Sequence, residues 1–575
     1  ALNLLDASRI DVSGGATVST VGAVTGTNAG SITLESNVLR NASENASLMH
    51  IGANLKGRSL VGGGTLALRG ADEVLIAAQP TPRGVKDGAA PGSLVLTDEF
   101  FRNGAFTKYD IQAASSLQVQ PGAVISPKAS NWMLTASASR VASGTDLSTF
   151  MDQGQLPDAQ RKAVSVSLGA VTPFGSNPAG DLSVGAGALI RTDPLATVTL
   201  AAGLNLDVEG QIRAPGGNVS LSLRDTPGVG TAETPSVGTL RVGATGVIDV
   251  SGGSVLQIQT GLLPQGRVLA GGNIDIQTSL VTARLTPVEI LNGAILQADG
   301  ASARLGVSVT TAAGGVKVRE QTVNSPGGTI NIVAREGGAT LAGDLHALGG
   351  RSAANSNPDA AAADGSFSLK LSGVRAGAGP EAINLVDTYT LVVQNAPITQ
   401  ADAVAGSVQV SAQSLAAGFA DVSLQSMDRI RLIGDVNLAV KRNLVLDAPL
   451  IVASPQSKTI TLSGGSSVLM GSTLNPDIPT VTTAITGLSE LVLQGGLVEF
   501  YGQLGLRGFK AVNANATSEI RLNGVAQNST QQGLLALKAD LTLNAPQVMV
   551  TSNSDFTIDA AGQKVVITGG VASAA

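Results

Sequence analysis

Few residues in this chain are of the types that enzymes use for catalysis or metal binding. Its 575 residues include no Cys and only two His, His50 and His346. Disulfides, thiolate metal sites and Cys nucleophiles are therefore excluded. A zinc site or a His-based triad lacks the residues to build it. His50 follows a polar stretch, and His346 sits in the alternation Leu345-His346-Ala347-Leu348; both read as structural or surface residues. Carboxylates remain. Asp72-Glu73 and Asp98-Glu99 are of the type used as acid-base pairs on polysaccharides or in Ca²⁺ clusters. Adjacent strand residues point to opposite faces, so neither pair can cooperate by itself. The simpler reading is solvated charge at a corner. There is no Walker loop, dinucleotide fingerprint, EF-hand or Ca²⁺-binding nonapeptide. No catalytic, cofactor or metal residue is expected.

Aromatics offer the other candidate chemistry. Phe100, Phe101, Phe106 and Tyr109 fall within ten residues of a chain that is only 2% aromatic, and Trp132 follows. Aromatic faces can anchor a sugar or a protein partner, so these five are the candidate ligand-binding residues. The competing reading, a packed elbow over a junction, is preferred. Phe500-Tyr501 is a smaller case of the same kind.

The elements that must position such residues are announced by a repeated word: Gly, a polar residue, then apolar-x-apolar. It occurs as Gly30-Ser31-Ile32-Thr33-Leu34, Gly64-Thr65-Leu66-Ala67-Leu68 and Gly217-Asn218-Val219-Ser220-Leu221. Further copies start at Gly92, Gly272, Gly328, Gly365 and Gly406. Each reads as the start of a strand with one face inside and one outside. A second word, Ile10-Asp11-Val12-Ser13-Gly14-Gly15, recurs unchanged as Ile248-Asp249-Val250-Ser251-Gly252-Gly253. Its Gly pair is expected to supply positive φ at a sharp corner.

Composition supports a stacked architecture. Gly numbers 71, and the apolar surface comes from small and branched side chains. The mean hydropathy of +0.25 with 14% charged residues is not that of a disordered chain. No apolar run approaches the roughly 18 residues needed to span a bilayer. The net charge of −6 comes without a basic cluster, so neither nucleic-acid binding nor a polybasic membrane patch is expected. The opening Ala1-Leu2-Asn3 has no Met or signal-peptide pattern; a processed product or internal segment is expected.

One coil can be followed through residues 203–223. Its repeat of about 20 residues lies in the solenoid range. The expected fold is all-β: a single-stranded right-handed parallel β-helix over residues 1–575, with corner insertions. Coils at about 4.8 Å spacing would number about 20–27 and give a rod roughly 95–130 Å long. Insertions are expected near 79–91, 143–163 (helix or loop, with Pro157 near a helix start), 225–238 and 351–364. The block 424–452 resembles 514–550, through Ile430-Arg431-Leu432 and Ile520-Arg521-Leu522, and suggests a duplication.

These words, the lack of Cys, and the segment Phe100 to Ile111 with Leu117 to Ile125 resemble filamentous-haemagglutinin-type exoproteins exported by two-partner secretion in Gram-negative bacteria. The resemblance implies a β-helical shaft at the outer cell surface, an outer-membrane transporter as partner, and no catalytic residues. Asn177-Pro178-Ala179-Gly180 only faintly echoes the family's secretion motif, so the export module is expected elsewhere. The functional expectation is a structural and adhesive segment that binds a host or bacterial surface glycan or protein, with end-to-end self-association through open strand edges. The alternative is a β-helix polysaccharide lyase or hydrolase. A tail-spike-like binder is a third reading.

Overall fold

The computed structural model describes residues 2–36, 49–78, 93–171, 180–224, 236–257, 263–278, 284–310, 314–351, 361–372, 390–473, 487–527 and 530–569, except single positions 6, 22, 143, 147, 148, 336 and 405. Within these residues the protein is nearly all strand. Its main feature is a 31-stranded sheet paired almost throughout in parallel, an arrangement compatible with a β-solenoid.

The alternation read in the sequence is the alternation of burial. In Asn218–Leu223, Val219, Leu221 and Leu223 face inward and the residues between them face outward. Fourteen successive parallel pairings carry this pattern from Ile32–Glu35 to Gln547–Val550. We term this the first ladder. One inward column runs its full length in register, including Ile32, Leu66, Tyr109, Val198, Ile330, Phe367, Leu444 and Ile520. These side chains share a single hydrophobic core. Burying each large aliphatic contributes about 1.5–3 kcal/mol.

The glycine of the repeated word has a steric cause. The backbone N–H of Asn273 donates to Gly217 O, that of Thr329 to Gly272 O and that of Ser366 to Gly328 O, each at 3.0 Å. A Cβ on Gly272 would lie 1.9 Å from Gly217 O, and one on Gly328 would lie 1.9 Å from Gly272 O. Glycine is needed for close stacking of one turn on the next. The expected positive φ appears at Gly216, in the pair Gly216-Gly217, but at neither member of Gly14-Gly15 or Gly252-Gly253. In those pairs the first glycine faces a returning carbonyl: Thr27 O at 2.4 Å from a Cβ on Gly14, and Leu269 O at 2.0 Å from one on Gly252. The preceding Asp fixes the turn, because Asp11 Oδ1 accepts from Ser13 N and Asp249 Oδ1 from Ser251 N.

A second ladder runs beside the first from residues 74–77 to Ser554–Asp559, and a third starts at Val124–Ile125. Twice the second ladder is out of sequence order. Leu94–Thr97 pairs with the earlier residues 74–77 on the side away from 116–119. Val408–Ser411 likewise lies between Ala339–Leu341 and Thr390–Gln394. Each returning strand leads directly into a short helix, α1 (Asp98–Asn103) or α2 (Ala412–Gly418). Helix α2 takes the place of a strand in the third ladder, packed between Asp344–His346 and Asn437–Val440, with Ala347 N donating to Gly418 O. Helix α1 packs against Val124–Ile125, and Gly104 O just after it accepts from Gly57 N. The apolar-x-apolar parts of two words, Leu94–Leu96 and Val408–Val410, lie in these returning strands; the other six words lead into strands of the first ladder.

Antiparallel hairpins leave where the chain passes into the first ladder. They are Ala16–Val18 with Val24–Gly26, Asn131–Leu134 with Met151–Gly154, Ser254–Gln257 with Gln265–Val268, and Ser302–Thr310 with Val316–Asn324. The first two share a small second core of Ala138, Phe150 and Met151, flanked by Val24, Leu60 and Trp132. The 143–163 excursion thus contains the strand Met151–Gly154, and Pro157 opens a turn in which Gln160 N and Arg161 N donate to Pro157 O. The hairpins also lengthen the repeat. First-ladder partners lie 21 residues apart at Thr197 and Asn218 but 57 apart at Lys108 and Ser165. Fourteen steps of about 4.8 Å span roughly 67 Å, shorter than the length expected from a uniform 20-residue coil. Residues 79–91, 225–235 and 352–360 of the expected insertions lie outside the described residues. Ile430-Arg431-Leu432 stands in the second ladder and Ile520-Arg521-Leu522 in the first.

Candidate functional site

The aromatic segment straddles α1 and the start of the first ladder. Phe101, Phe106 and Tyr109 are each 0% exposed. Their rings pack edge-on or tilted, with centroids 5.2 Å apart for Phe101–Tyr109 and 6.0 Å for Phe106–Tyr109. The Tyr109 hydroxyl donates to Phe101 O at 2.7 Å, and burial raises its pKa. A Cβ on Gly57 would lie 2.4 Å from the Phe106 ring, so that glycine seats the elbow. These three rings leave no face for a ligand. Trp132 is half-buried and packs against the second core. Phe500 is in the main core. Phe100 differs: half-buried, it lines a cavity.

That cavity, about 490 Å³, lies beneath α1 and is walled by Ile51, Asn54, Lys56, Arg58, Glu99, Phe100 and Asn103, among others. The strand Asn54–Lys56 and the residues after it supply one wall, and alternation puts Asn54, Lys56 and Arg58 on the same face. Lys56 and Arg58 form no ion pair or side-chain hydrogen bond with any described residue, and Arg58 Nε is buried. Burial lowers the pKa of Arg58, with Asp11 opposing and Arg9 adding to the effect. Burial, then Arg9 and Arg58, lower that of Lys56. Arg9 pairs with Asp11. Burial works against ionisation of Asp11, but hydrogen bonds from Ser13 and Arg9 outweigh it and hold the carboxyl at about 2. Sequence reading missed Lys56 and Arg58; their i, i+2 spacing is the signal that could have found them.

A second concavity, about 510 Å³, opens on the outer face of the first ladder between Glu35, Arg69, Lys108, Asp110 and Arg224. Its charges are partly spent on each other: Arg69 pairs with Asp110 at 3.1 Å. Burial would raise the Asp110 pKa, but Gln112 and Arg69 hold it below its ordinary value.

Three of the four candidate carboxylates accept hydrogen bonds from neighbouring groups. Asp98 accepts from Ser126 N and Oγ and pairs with Arg102; Glu73 accepts from Ser93; Glu99 accepts from Asn103. His50 is exposed on Met49–Ile51. His346 Nδ1 lies 2.8 Å from Asp299 Oδ1, which also accepts from Leu348 N, so the pair ties one turn to the next. Among the described residues, no three His, Asp or Glu are grouped to hold a metal ion, and no helix is long and apolar enough to cross a membrane.

No family model, curated protein or solved structure matches this chain.

Proposed function

We propose that the chain is a shaft segment of a filamentous-haemagglutinin-type surface exoprotein. In this reading it is a single-stranded right-handed parallel β-helix, exported through an outer-membrane two-partner-secretion transporter. It acts outside a Gram-negative cell, holding adhesive regions at a distance and binding surface glycans or proteins along its length. The supporting observation is the unbroken inward column from Ile32 to Ile520, faced outside by polar residues bonded from turn to turn. Asn273 Nδ2 to Asn218 Oδ1 and Thr329 to Ser366 are two such bonds. Stability in such a stack adds through neighbours, which suits a mechanical element. End-to-end self-association through open strand edges belongs to the same reading.

The test is a panel of host glycans, bacterial exopolysaccharides and whole cells presented to the purified chain, with rods viewed by electron microscopy. Elongated particles retained without cleavage are expected. Release of reducing or unsaturated ends would overturn the structural reading in favour of a polysaccharide lyase or hydrolase. Globular particles would overturn the shaft.

A further inference from the structure

We propose that the cavity beneath α1 binds a carboxylated sugar residue, such as a uronic acid, of a surface polysaccharide. The proposal deepens the adhesive reading and rests on it.

Charge selects an anion. Among the described residues Lys56 and Arg58, on the cavity wall, form no ion pair; Asp11 nearby is already paired with Arg9, so that pair adds no net charge beside them. Glu99, on the helical wall, accepts from Asn103 and forms no ion pair with either cation, so two cations face one carboxylate across the cavity and its walls carry net positive charge. A partly buried guanidinium and ammonium are strong partners for a carboxylate, through short charge-assisted hydrogen bonds. The concavity on the first ladder offers a contrast, because its Arg69 is already taken by Asp110.

Shape and polarity select a sugar rather than a bare anion. The volume of about 490 Å³ falls within the roughly 300–1,000 Å³ of ligand pockets. Phe100 supplies an apolar ring surface for the C–H face of a pyranose. The Asn54 amide and the Asn103 amide oxygen supply donors and acceptors for hydroxyls. Phe100 is itself held by edge packing on Phe101 at 5.4 Å, so the wall is fixed in advance, which lowers the entropic cost of binding.

The experiment titrates the full chain calorimetrically with a glucuronate-containing oligosaccharide and with its neutral glucose counterpart. The acidic sugar is expected to bind at least about tenfold more tightly. The double variant Lys56→Gln/Arg58→Gln should lose about tenfold or more, the scale of one charge-assisted hydrogen bond, with an unchanged melting temperature. Lys56→Gln alone, the milder change, should weaken binding in the same direction. Glu99→Gln should tighten it. Equal binding of the neutral sugar would overturn the proposal. So would full affinity in the double variant, or inorganic phosphate competing as well as the uronate. Cell retention by a chain that ignores uronates would overturn the pocket alone; absence of both would overturn the adhesive reading as well.

Discussion

Arg161 and Asp193 form a two-point ion pair across 32 residues. Arg161 Nε lies 3.0 Å and one terminal nitrogen 2.6 Å from the two Asp193 oxygens. Their side chains are 3% and 8% exposed. Arg161 also donates to Leu156 O and to Asp158. It therefore closes the excursion carrying Asn131–Leu134 and Met151–Gly154 and fastens it to the turn that precedes Thr197–Ala202. Removing one partner strands a buried charge, which costs about 3–5 kcal/mol. Arg161→Met should lower stability on that scale, with the loss of amide protection concentrated in residues 131–154. Hydrogen exchange checks this. Protection lost evenly along the chain would show that the pair does not act locally.

The two glycines of one pair should respond differently. Gly252→Ala places a Cβ 2.0 Å from Leu269 O, whereas the nearest atom to a Cβ on Gly253 is Pro215 Cβ at 3.8 Å. Overpacking against backbone costs about 1–3 kcal/mol. Gly252→Ala should be destabilised on that scale, and Gly253→Ala should stay within about 0.5 kcal/mol of wild type. Urea denaturation of both variants provides the comparison; similar losses in the two would contradict the steric account.

His346 should make stability pH-dependent. Its hydrogen bond with Asp299 raises the pKa above 6.5; burial opposes this, and Asp344 and Asp249 add to the rise. A group whose folded pKa is raised stabilises the fold fully below its unfolded pKa, and that contribution is lost as pH rises through the folded value. The melting temperature, relative to His346→Gln, should therefore fall as pH rises from about 6 through the raised pKa. A wild-type curve parallel to that of the variant between pH 5.5 and 8.5 would refute it.

Phe419 anchors α2, with its ring 5.2 Å from that of Phe367 on the first ladder. Both are about 1% exposed. Phe419→Ala should cost about 3–5 kcal/mol and release α2 from Asp344–His346. Calorimetry and exchange at Ala347 N, which donates to Gly418 O, measure the two effects together. Retained protection at Ala347 would show that the helix holds its place without the ring.

Much of the fold was legible because strand alternation is a local signal. The words at Gly217, Gly272, Gly328 and Gly365 mark consecutive strands of one ladder. Their glycine is also local in cause, since each must clear the carbonyl of the turn beneath. The aromatic segment was legible as a cluster. The similarity of residues 92–112 to 406–426 went unread, although both are returning strands followed by a helix. Helices of six and seven residues are too short for periodicity to reveal them.

The sequence by itself determined the strand pattern, the parallel stacking and the absence of thiol chemistry, because these follow from residue type and nearest-neighbour spacing. Tertiary structure alone decided which of the clustered aromatics keeps an accessible ring. It also decided that Lys56 and Arg58 share a wall with Phe100, some forty residues away. In a stacked chain the neighbours of a side chain are set by the length of the turn between them. Each hairpin changes that length without changing the words on either side.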